Sequence, residues 1–295
     1  MNGKVRKKLW GFLPHLVLIL VSVACLLPLV LVISASFTTD AEIAKYGYSF
    51  IPKEFTIEAY EYILKKPAQL INSYGVTILV TLSGTVIGLL ITAMLAYGMS
   101  RRDYPFARAT TLFVYMTLLF SAGLVPWYMM VSNVLSLKDT LLALIVPYLV
   151  VPWFVMLMKG YFADIPSSII EAGKIDGASE LRIFFQIVVP MAKPGLATVG
   201  LFIMFMYWND YYLSLMFIQN SKKLSLQFML YRMMSNIDFL KSALAAQAGM
   251  LSGVQIPAKS IRMAMCVLAA GPMLLVFPFF QKYLVKGITI GSVKE

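Results

Sequence analysis

Residues able to do metal or nucleophilic chemistry are few in this 295-residue sequence and lie far apart. The single histidine, His15, and the two cysteines, Cys25 and Cys266, fall in or beside apolar stretches. A zinc site or a thiol-based catalytic centre needs several such side chains close together. We therefore interpret these three residues as structural, and the sequence argues against a membrane enzyme.

One carboxylate lies well inside an apolar stretch, and aromatic residues surround it. Asp210 within a membrane helix costs roughly 2.5–3.5 kcal/mol on insertion scales, so it should face a protein interior or a cavity. Aromatic faces with a few polar groups suit a sugar. One interpretation is a substrate route, and the other is an aromatic belt at the outer membrane interface with Asp210 near the headgroups. The candidate route residues are Tyr207, Trp208, Asn209, Asp210 and Tyr211.

The composition indicates which environment holds these residues. Hydrophobic residues make up 60% of the chain and charged residues only 13%, whereas soluble domains carry about 25% charged residues. The formal net charge of +11 fits Lys and Arg at helix ends against anionic headgroups. The sequence lacks the basic and aromatic array typical of nucleic-acid modules. We predict an all-α, polytopic membrane protein whose surface partner is lipid.

Apolar runs long enough to cross a bilayer, which takes roughly 20 residues, recur along the chain. The first run is longer than the core of a cleaved signal peptide, so we expect it to be retained. Pro147 and Pro152 interrupt the fourth run. The six predicted spans are 10–36, 73–99, 106–131, 140–157, 195–217 and 262–280.

The basic residues of the short connections predict the orientation. The N-terminus is basic, and the connection after the second span carries Arg101, Arg102 and Arg108 against Asp103. Such connections face the cytoplasm. Both termini and the loop 164–194 are then predicted inside, and the long segment 219–261 outside.

The loop 164–194 has the pattern of two short amphipathic helices. Pro166 suits a first helical turn, and Ser168 and Glu171 have the spacing of a capping box. Gly177 can end this helix in a left-handed conformation, and Ser179 can cap the next one. Taken alone, this pattern leaves open a helix pair that only lies on the lipid surface.

The same loop resembles the "EAA" motif of ABC-importer permeases. The matching residues are Glu171-Ala172-Gly173, Asp176-Gly177-Ala178, Phe184, Ile187, Pro190 and Pro194, with Gly173 where a second alanine is usual. The tail 282–294 and the run 208–210 look like the carbohydrate branch, which is related to the maltose permease. Within that branch, complex-oligosaccharide importers look most similar.

The resemblance implies a type I importer permease in which the loop docks on an ATPase subunit. Glu171 would make a charged contact there, and Gly177 would supply the bend. Because the sequence lacks a G-x-x-x-x-G-K-[ST] phosphate loop, ATP and Mg²⁺ would bind to a separate ATPase dimer and this chain would bind no cofactor. The implied coupling residues are Glu171, Ala172, Gly173, Asp176, Gly177, Ala178 and Pro190.

Further partners follow from the same resemblance. They are a second, non-identical permease and an extracellular sugar-binding protein, in the plasma membrane of a prokaryote. The alternative is a secondary transporter or channel that works without ATP. That alternative predicts paired intramembrane charges or an internal repeat, and the sequence shows neither.

Overall fold

The computed structural model describes residues 3–65, 67–246 and 258–290, with side chains over 14–65, 67–240 and 258–281. Within these ranges the regular elements are helical, apart from one isolated bridge between Thr38 and Phe55. The all-α prediction is confirmed. The resembling tail 282–294 lies outside the described side chains.

The helices follow one another with short connections. Two π-helical turns, at Met130–Val134 and Phe184–Val188, continue α6 and α9, and short 3₁₀ turns lie at Leu141–Leu144, Val146–Tyr148 and Ser221–Lys223. The α-helices are α1 (Gly3–Ser36), α2 (Asp40–Tyr46), α3 (Glu58–Ile63), α4 (Pro67–Ser100), α5 (Ala107–Leu119), α6 (Leu124–Met129), α7 (Pro152–Ala163), α8 (Ser167–Ile175), α9 (Glu180–Ile183), α10 (Val189–Met191), α11 (Lys193–Trp208), α12 (Tyr212–Phe217), α13 (Leu226–Ala246) and α14 (Ala258–Ile290).

Length and composition allow three continuous membrane spans in the described residues: Pro14–Ser36, Pro67–Ser100 and Ala258–Gln281. Three further helix pairs qualify only as bent units. They are Ala107–Leu119 with Leu124–Val134, Leu141–Tyr148 with Pro152–Ala163, and Glu180–Met191 with Lys193–Trp208, bent by 114°, 49° and 86°. Six spans result if each pair crosses as one. The interruptions lie where Pro or Gly weakens the helical hydrogen-bond ladder, as at Gly123 (φ +84°).

The chain divides into two compact units, of which the first comprises Met1–Pro67 and Arg232–Pro272. Inside this unit, the carboxylate of Asp40 accepts hydrogen bonds from the backbone N–H groups of Lys259 (3.0 Å) and Ser260 (2.8 Å). It thereby satisfies the free donors at the start of α14. The buried carboxylate of Glu42 accepts from the N–H groups of Lys53 (2.8 Å) and Glu54 (3.0 Å). Carboxylates thus hold the connections of this unit in place.

The second unit comprises Ala68–Tyr231 and Met273–Glu295. Small and hydroxyl residues on α4 let neighbouring helices approach closely, which is how membrane helices pack. A Cβ on Gly84 would lie 2.5 Å from the ring of Tyr207 in α11. The inward row on α4 consists of Ser73, Thr77, Thr81, Gly84, Thr85, Gly88 and Thr92.

The segment 219–261, predicted as an outer loop, contains the 21-residue helix α13. Helix α13 begins where the backbone N–H of Leu226 donates to Thr77 Oγ1 (2.8 Å). The part of the segment at 247–257 lies outside the described residues. Polar residues such as Arg232, Asn236 and Asp238 interrupt the apolar residues of this helix, so a search for uninterrupted apolar runs does not find it.

Candidate functional site

Helix α8 carries the first half of the EAA-like motif and ends in a Schellman motif. The N–H of Ala178 donates to the carbonyl of Gly173 (3.0 Å), and the N–H of Gly177 donates to that of Lys174 (3.0 Å). Gly177 has φ +75°, a conformation that favours glycine. The predicted left-handed end of this helix at Gly177 is therefore confirmed.

The predicted capping box at the start of α8 is wrong. The N-cap residue is Pro166, whose extended ψ of 129° begins the helix without any side-chain hydrogen bond. Ser168 therefore lies inside the helix, where it cannot act as a cap. The prediction for the second helix is correct: the Ser179 hydroxyl accepts from the N–H of Arg182 (3.4 Å) at the start of α9.

The two short helices bury one face and leave apolar residues on the other. Ile183 and Val188 are fully buried, whereas Ile175 is 87% exposed and Leu181 is 59% exposed. Glu171 is also exposed, and its carboxylate forms no ion pair with the residues that the structure describes. A free carboxylate flanked by exposed apolar side chains is typical of a protein-docking surface.

Four charged residues and one tyrosine form a cluster that links the two short helices to the end of α4, and sequence reasoning missed it. We call it the brace; its members are Tyr97, Arg101, Asp103, Lys174 and Glu180. Arg101 makes a two-pronged contact with Asp103 (2.9 and 2.6 Å). Lys174 contacts Asp103 and also lies 2.9 Å from Glu180, whose carboxylate accepts from the Tyr97 hydroxyl (3.0 Å).

The brace connects the last turn of α4 and the residues just after it to α8 and to α9. Hydrogen bonds from Arg101 and Lys174 hold the pKa of Asp103 well below its usual range. Hydrogen bonds to Asp103 and Glu180 raise the pKa of Lys174. Arg101, Asp103 and Lys174 also line a cavity of about 450 Å³ next to Glu171. The available signal was the presence of opposite charges in each of two places, at residues 101–103 and at Lys174 and Glu180. These two places are about 70 residues apart, so the sequence did not reveal that they pair.

Gly173 stands where the EAA pattern usually has alanine. A Cβ at this position would lie 3.0 Å from Cδ1 of Ile187 and 3.4 Å from Cγ1 of Ile183. Helix α8 and the π-helical turn after α9 therefore lie close together, and an alanine here would require only the end of the Ile187 side chain to move by a few tenths of an ångström. Asp176 and Ala172 are exposed on the same loop, and Pro190 lies in α10.

The second group of candidate residues lies where α11 ends at Trp208. The carboxylate of Asp210 accepts from the N–H of Leu213 (3.1 Å) and from the hydroxyl of Tyr148 (3.1 Å). The hydroxyl of Ser225 donates to the Asp210 backbone carbonyl (3.1 Å). Asp210 thus stabilises the break between α11 and α12, a role that neither the substrate-route nor the belt interpretation includes.

The five candidate route residues do not share one surface. Tyr207 is 2% exposed, and its hydroxyl donates to the carbonyl of Ile145 (2.8 Å). Trp208 is 5% exposed. Asn209 and Tyr211 are exposed, and Tyr211 stacks on Tyr231 with ring centroids 5.4 Å apart.

A second carboxylate, Asp139, holds the chain just beyond α12. Its N–H donates to the carbonyl of Phe217 (2.9 Å), and its carboxylate accepts from the N–H groups of Gln219 (3.1 Å) and Asn220 (3.0 Å). These backbone hydrogen bonds lower the pKa of Asp139. Asp210 and Asp139 thus make contacts at the two ends of α12, which the sequence predicted to be the continuous end of the span 195–217.

Comparison with known proteins identifies the family to which this chain belongs. Residues 84–290, which include the loop, the brace from Tyr97 onward and the break at Asp210, match the family described as the binding-protein-dependent transport system inner membrane component. The chain belongs to this family. The predicted permease of a transport system is confirmed, as against a secondary transporter or channel.

Named relatives of the family extend over nearly the whole chain. The polygalacturonan/rhamnogalacturonan transport system permease protein YtcP of Bacillus subtilis is 35% identical and covers 98% of this chain and 100% of its own length. The maltodextrin transport system permease protein MdxG of the same organism is 28% identical over 100% of both chains. A solved structure of a bacterial ABC transporter that imports the acidic polysaccharide alginate superposes with a TM-score of 0.77 at 25% identity, covering 94% of this chain and 97% of that one.

These matches bear on the fold and on the location as well. The superposition confirms the predicted fold, an all-α polytopic membrane protein of the ABC-importer permease type. The family description places the chain in the inner membrane as a component of a system that works with a binding protein.

Proposed function

We propose that this chain is one of two non-identical permease subunits of an importer for an oligosaccharide or for a fragment of an acidic polysaccharide. Both termini and the loop 164–194 face the cytoplasm. A separate ATPase dimer binds ATP and Mg²⁺, and an extracellular binding protein delivers the sugar. The permease itself catalyses no reaction.

The exposed surface of the loop is the observation that carries the coupling role. It presents Glu171, which has no ion-pair partner among the described residues, and the exposed apolar side chains of Ile175 and Leu181, on two helices that the brace holds together. This chemistry fits a groove with an apolar floor and a basic rim on an ATPase. Closure of the ATPase dimer then moves the loop, and the helices that follow it rock as rigid bodies to give alternating access.

The substrate class is supported by the relatives, which are named for galacturonan, maltodextrin and alginate transport. In this chain, the exposed Asn209 and Tyr211 at the end of α11 are the route residues free to meet a sugar. Tyr211 and Tyr231 offer stacked aromatic faces. Tyr207 and Trp208 support them from the protein interior.

The coupling role is tested in a purified complex of this chain with its co-expressed partner permease and ATPase. Glu171→Ala should reduce ATPase stimulation by the loaded binding protein at least about tenfold, since a buried interfacial charge contact contributes about 2 kcal/mol or more. Glu171→Gln separates charge from size. Ser168→Ala, an exposed position on the same helix, is the matched control. Unchanged assembly and stimulation in Glu171→Ala would disprove the coupling role.

The route assignment has its own test in uptake of labelled oligogalacturonides. Tyr211→Ala should lower uptake without lowering the basal ATPase rate, because it removes a sugar-stacking face and leaves α11 intact. Tyr211→Phe keeps the face and should retain uptake. Equal uptake by the alanine variant and the parent would remove Tyr211 from the route.

A further inference from the structure

A second cavity, of about 340 Å³, opens between α5 and α7 on the side of these helices nearest the loop. We call it the crevice. Helix α5 contributes Arg108, Thr111, Leu112 and Tyr115, which lie on one helical face because their spacing is three, four and seven residues. Helix α7 contributes Lys159, whose ammonium donates to the hydroxyl of Thr111 (2.9 Å).

Among the side chains that the structure describes, the two cations of the crevice have no anionic partners. In the described part of the chain neither Arg108 nor Lys159 has a carboxylate within 4.0 Å. Arg101 and Lys174, in the neighbouring brace, are both paired. Lys159 is half-buried, so one neutral hydroxyl offsets only part of its lost hydration. Such a site attracts an anion.

The walls of the crevice change from charged to apolar along its length. Arg108 is the second residue of α5, and Lys159 lies four residues, about 6 Å, before the end of α7. Leu112 and Tyr115 lie about 6 and 10 Å further along α5 than Arg108 and are exposed. A phosphate group joined to acyl chains has the same polarity gradient.

We propose that the crevice binds an anionic phospholipid, with Arg108 and Lys159 on the phosphate and with Leu112 and Tyr115 against an acyl chain. The lipid lies in the leaflet next to the loop. The proposal rests on the proposed function only in that this leaflet is the cytoplasmic one. An anionic headgroup neutralises both cations, and Lys and Arg side chains near the membrane surface attract the anionic lipids of the cytoplasmic leaflet.

Native mass spectrometry of the purified complex, titrated with phosphatidylglycerol or phosphatidylcholine, tests the proposal. We expect one phosphatidylglycerol to bind preferentially and its affinity to fall about fivefold in Arg108→Gln and in Lys159→Gln, and about 25-fold in the double variant. Lys159→Arg keeps the positive charge and should retain the affinity of the parent for phosphatidylglycerol. Arg102→Gln removes an exposed cation that lies in the connection before α5 and outside the crevice; it is the matched control and should bind as the parent does.

Three outcomes would overturn the proposal. Equal loss of both lipids in the double variant would mean that the crevice has no preference for an anionic headgroup. Displacement of the lipid by inorganic phosphate at equal concentration would mean that the ligand is a free anion. Loss of the partner permease from the double variant would mean that the crevice is a subunit interface. Because none of these readouts depends on Glu171, failure here leaves the coupling role standing.

Discussion

The inner loop and the break near Asp210 are both held by carboxylates, but the partners of those carboxylates differ. In the brace, Asp103 and Glu180 meet the side chains of Arg101 and Lys174 at half-exposed positions. At the break, Asp210 and Asp139 meet mainly backbone N–H groups. Side-chain ion pairs in water are weak and screened by salt, whereas a carboxylate that satisfies backbone donors fixes the chain itself. The loop is thus held adjustably, and the break is held firmly.

The largest effect should come from removing the carboxylate at the break. Asp210→Ala leaves the N–H of Leu213 and the hydroxyl of Tyr148 without their acceptor, at roughly 1–3 kcal/mol for each unsatisfied group. We expect a lower midpoint of thermal unfolding for the purified protein and reduced abundance in the membrane. Asn209→Ala, at the exposed neighbouring position, is the control. A midpoint equal to that of the control would mean that the break does not depend on Asp210.

An intermediate effect is expected from loosening the brace. Lys174→Ala removes the cation shared by Asp103 and Glu180, and exposed ion pairs of this kind contribute about 0.2–1 kcal/mol. Hydrogen exchange should speed up several-fold in α8 and remain unchanged in α12. Raising salt from about 0.05 M to about 0.5 M should have the same selective effect on the parent protein. Uniform acceleration in both helices would show that the two regions are not held differently.

The pH dependence of the brace follows from Asp103. Since its pKa is lowered on folding, its stabilising contribution is fully present above the ordinary aspartate value of about 3.9. That contribution is lost as the pH falls through the lower folded pKa. Exchange in α8, corrected for the intrinsic rate, should therefore stay constant from about pH 8 to pH 5.

Salt should change the pKa of an aspartate paired with side-chain cations more than that of an aspartate bound by backbone N–H groups. Carbon-13 titration of labelled aspartate should show the Asp103 midpoint rising with salt more than that of Asp139, because backbone N–H groups carry no net charge to screen. A brace that loosened between about pH 7 and pH 5 would contradict the assignment of Asp103 as its anionic centre.

The smallest effect is expected at Gly173. In Gly173→Ala the added methyl meets Cδ1 of Ile187, the mobile end of a side chain, while the helix gains about 0.5–1 kcal/mol in propensity. ATPase stimulation and thermal stability should stay close to those of the parent. Gly195→Ala is the contrasting variant, because its Cβ would lie 2.5 Å from Cγ of Tyr161. That variant should be clearly destabilised, and equal behaviour of the two would contradict the packing described around the loop.

Sequence reasoning succeeded where local chemistry decides the structure. Gly177 and Ser179 end and begin helices through contacts with residues at most five positions away, so the pattern alone revealed them. The long-range contacts of the brace and of Asp210 join residues separated by 62 to 83 positions, and no local pattern records such pairings. The apolar runs revealed membrane spans, but the break at residues 209–211 depends on tertiary partners, whereas Gly123 with φ +84° lies at the break at residues 120–123. The predicted roles of Glu171 and of the route residues stay predictions.

The bend of 86° at Ala192 has a mechanical meaning for whatever reaches the loop. The helical stretch Glu180–Met191 meets α11 almost at right angles, so a force along its axis has almost no component along α11. Such a force acts as torque about the first turn of α11, and a small displacement there sweeps a larger arc at Trp208, about 24 Å away. The loop and α11 together have the geometry of a crank, which turns a short push into a swing of the far end.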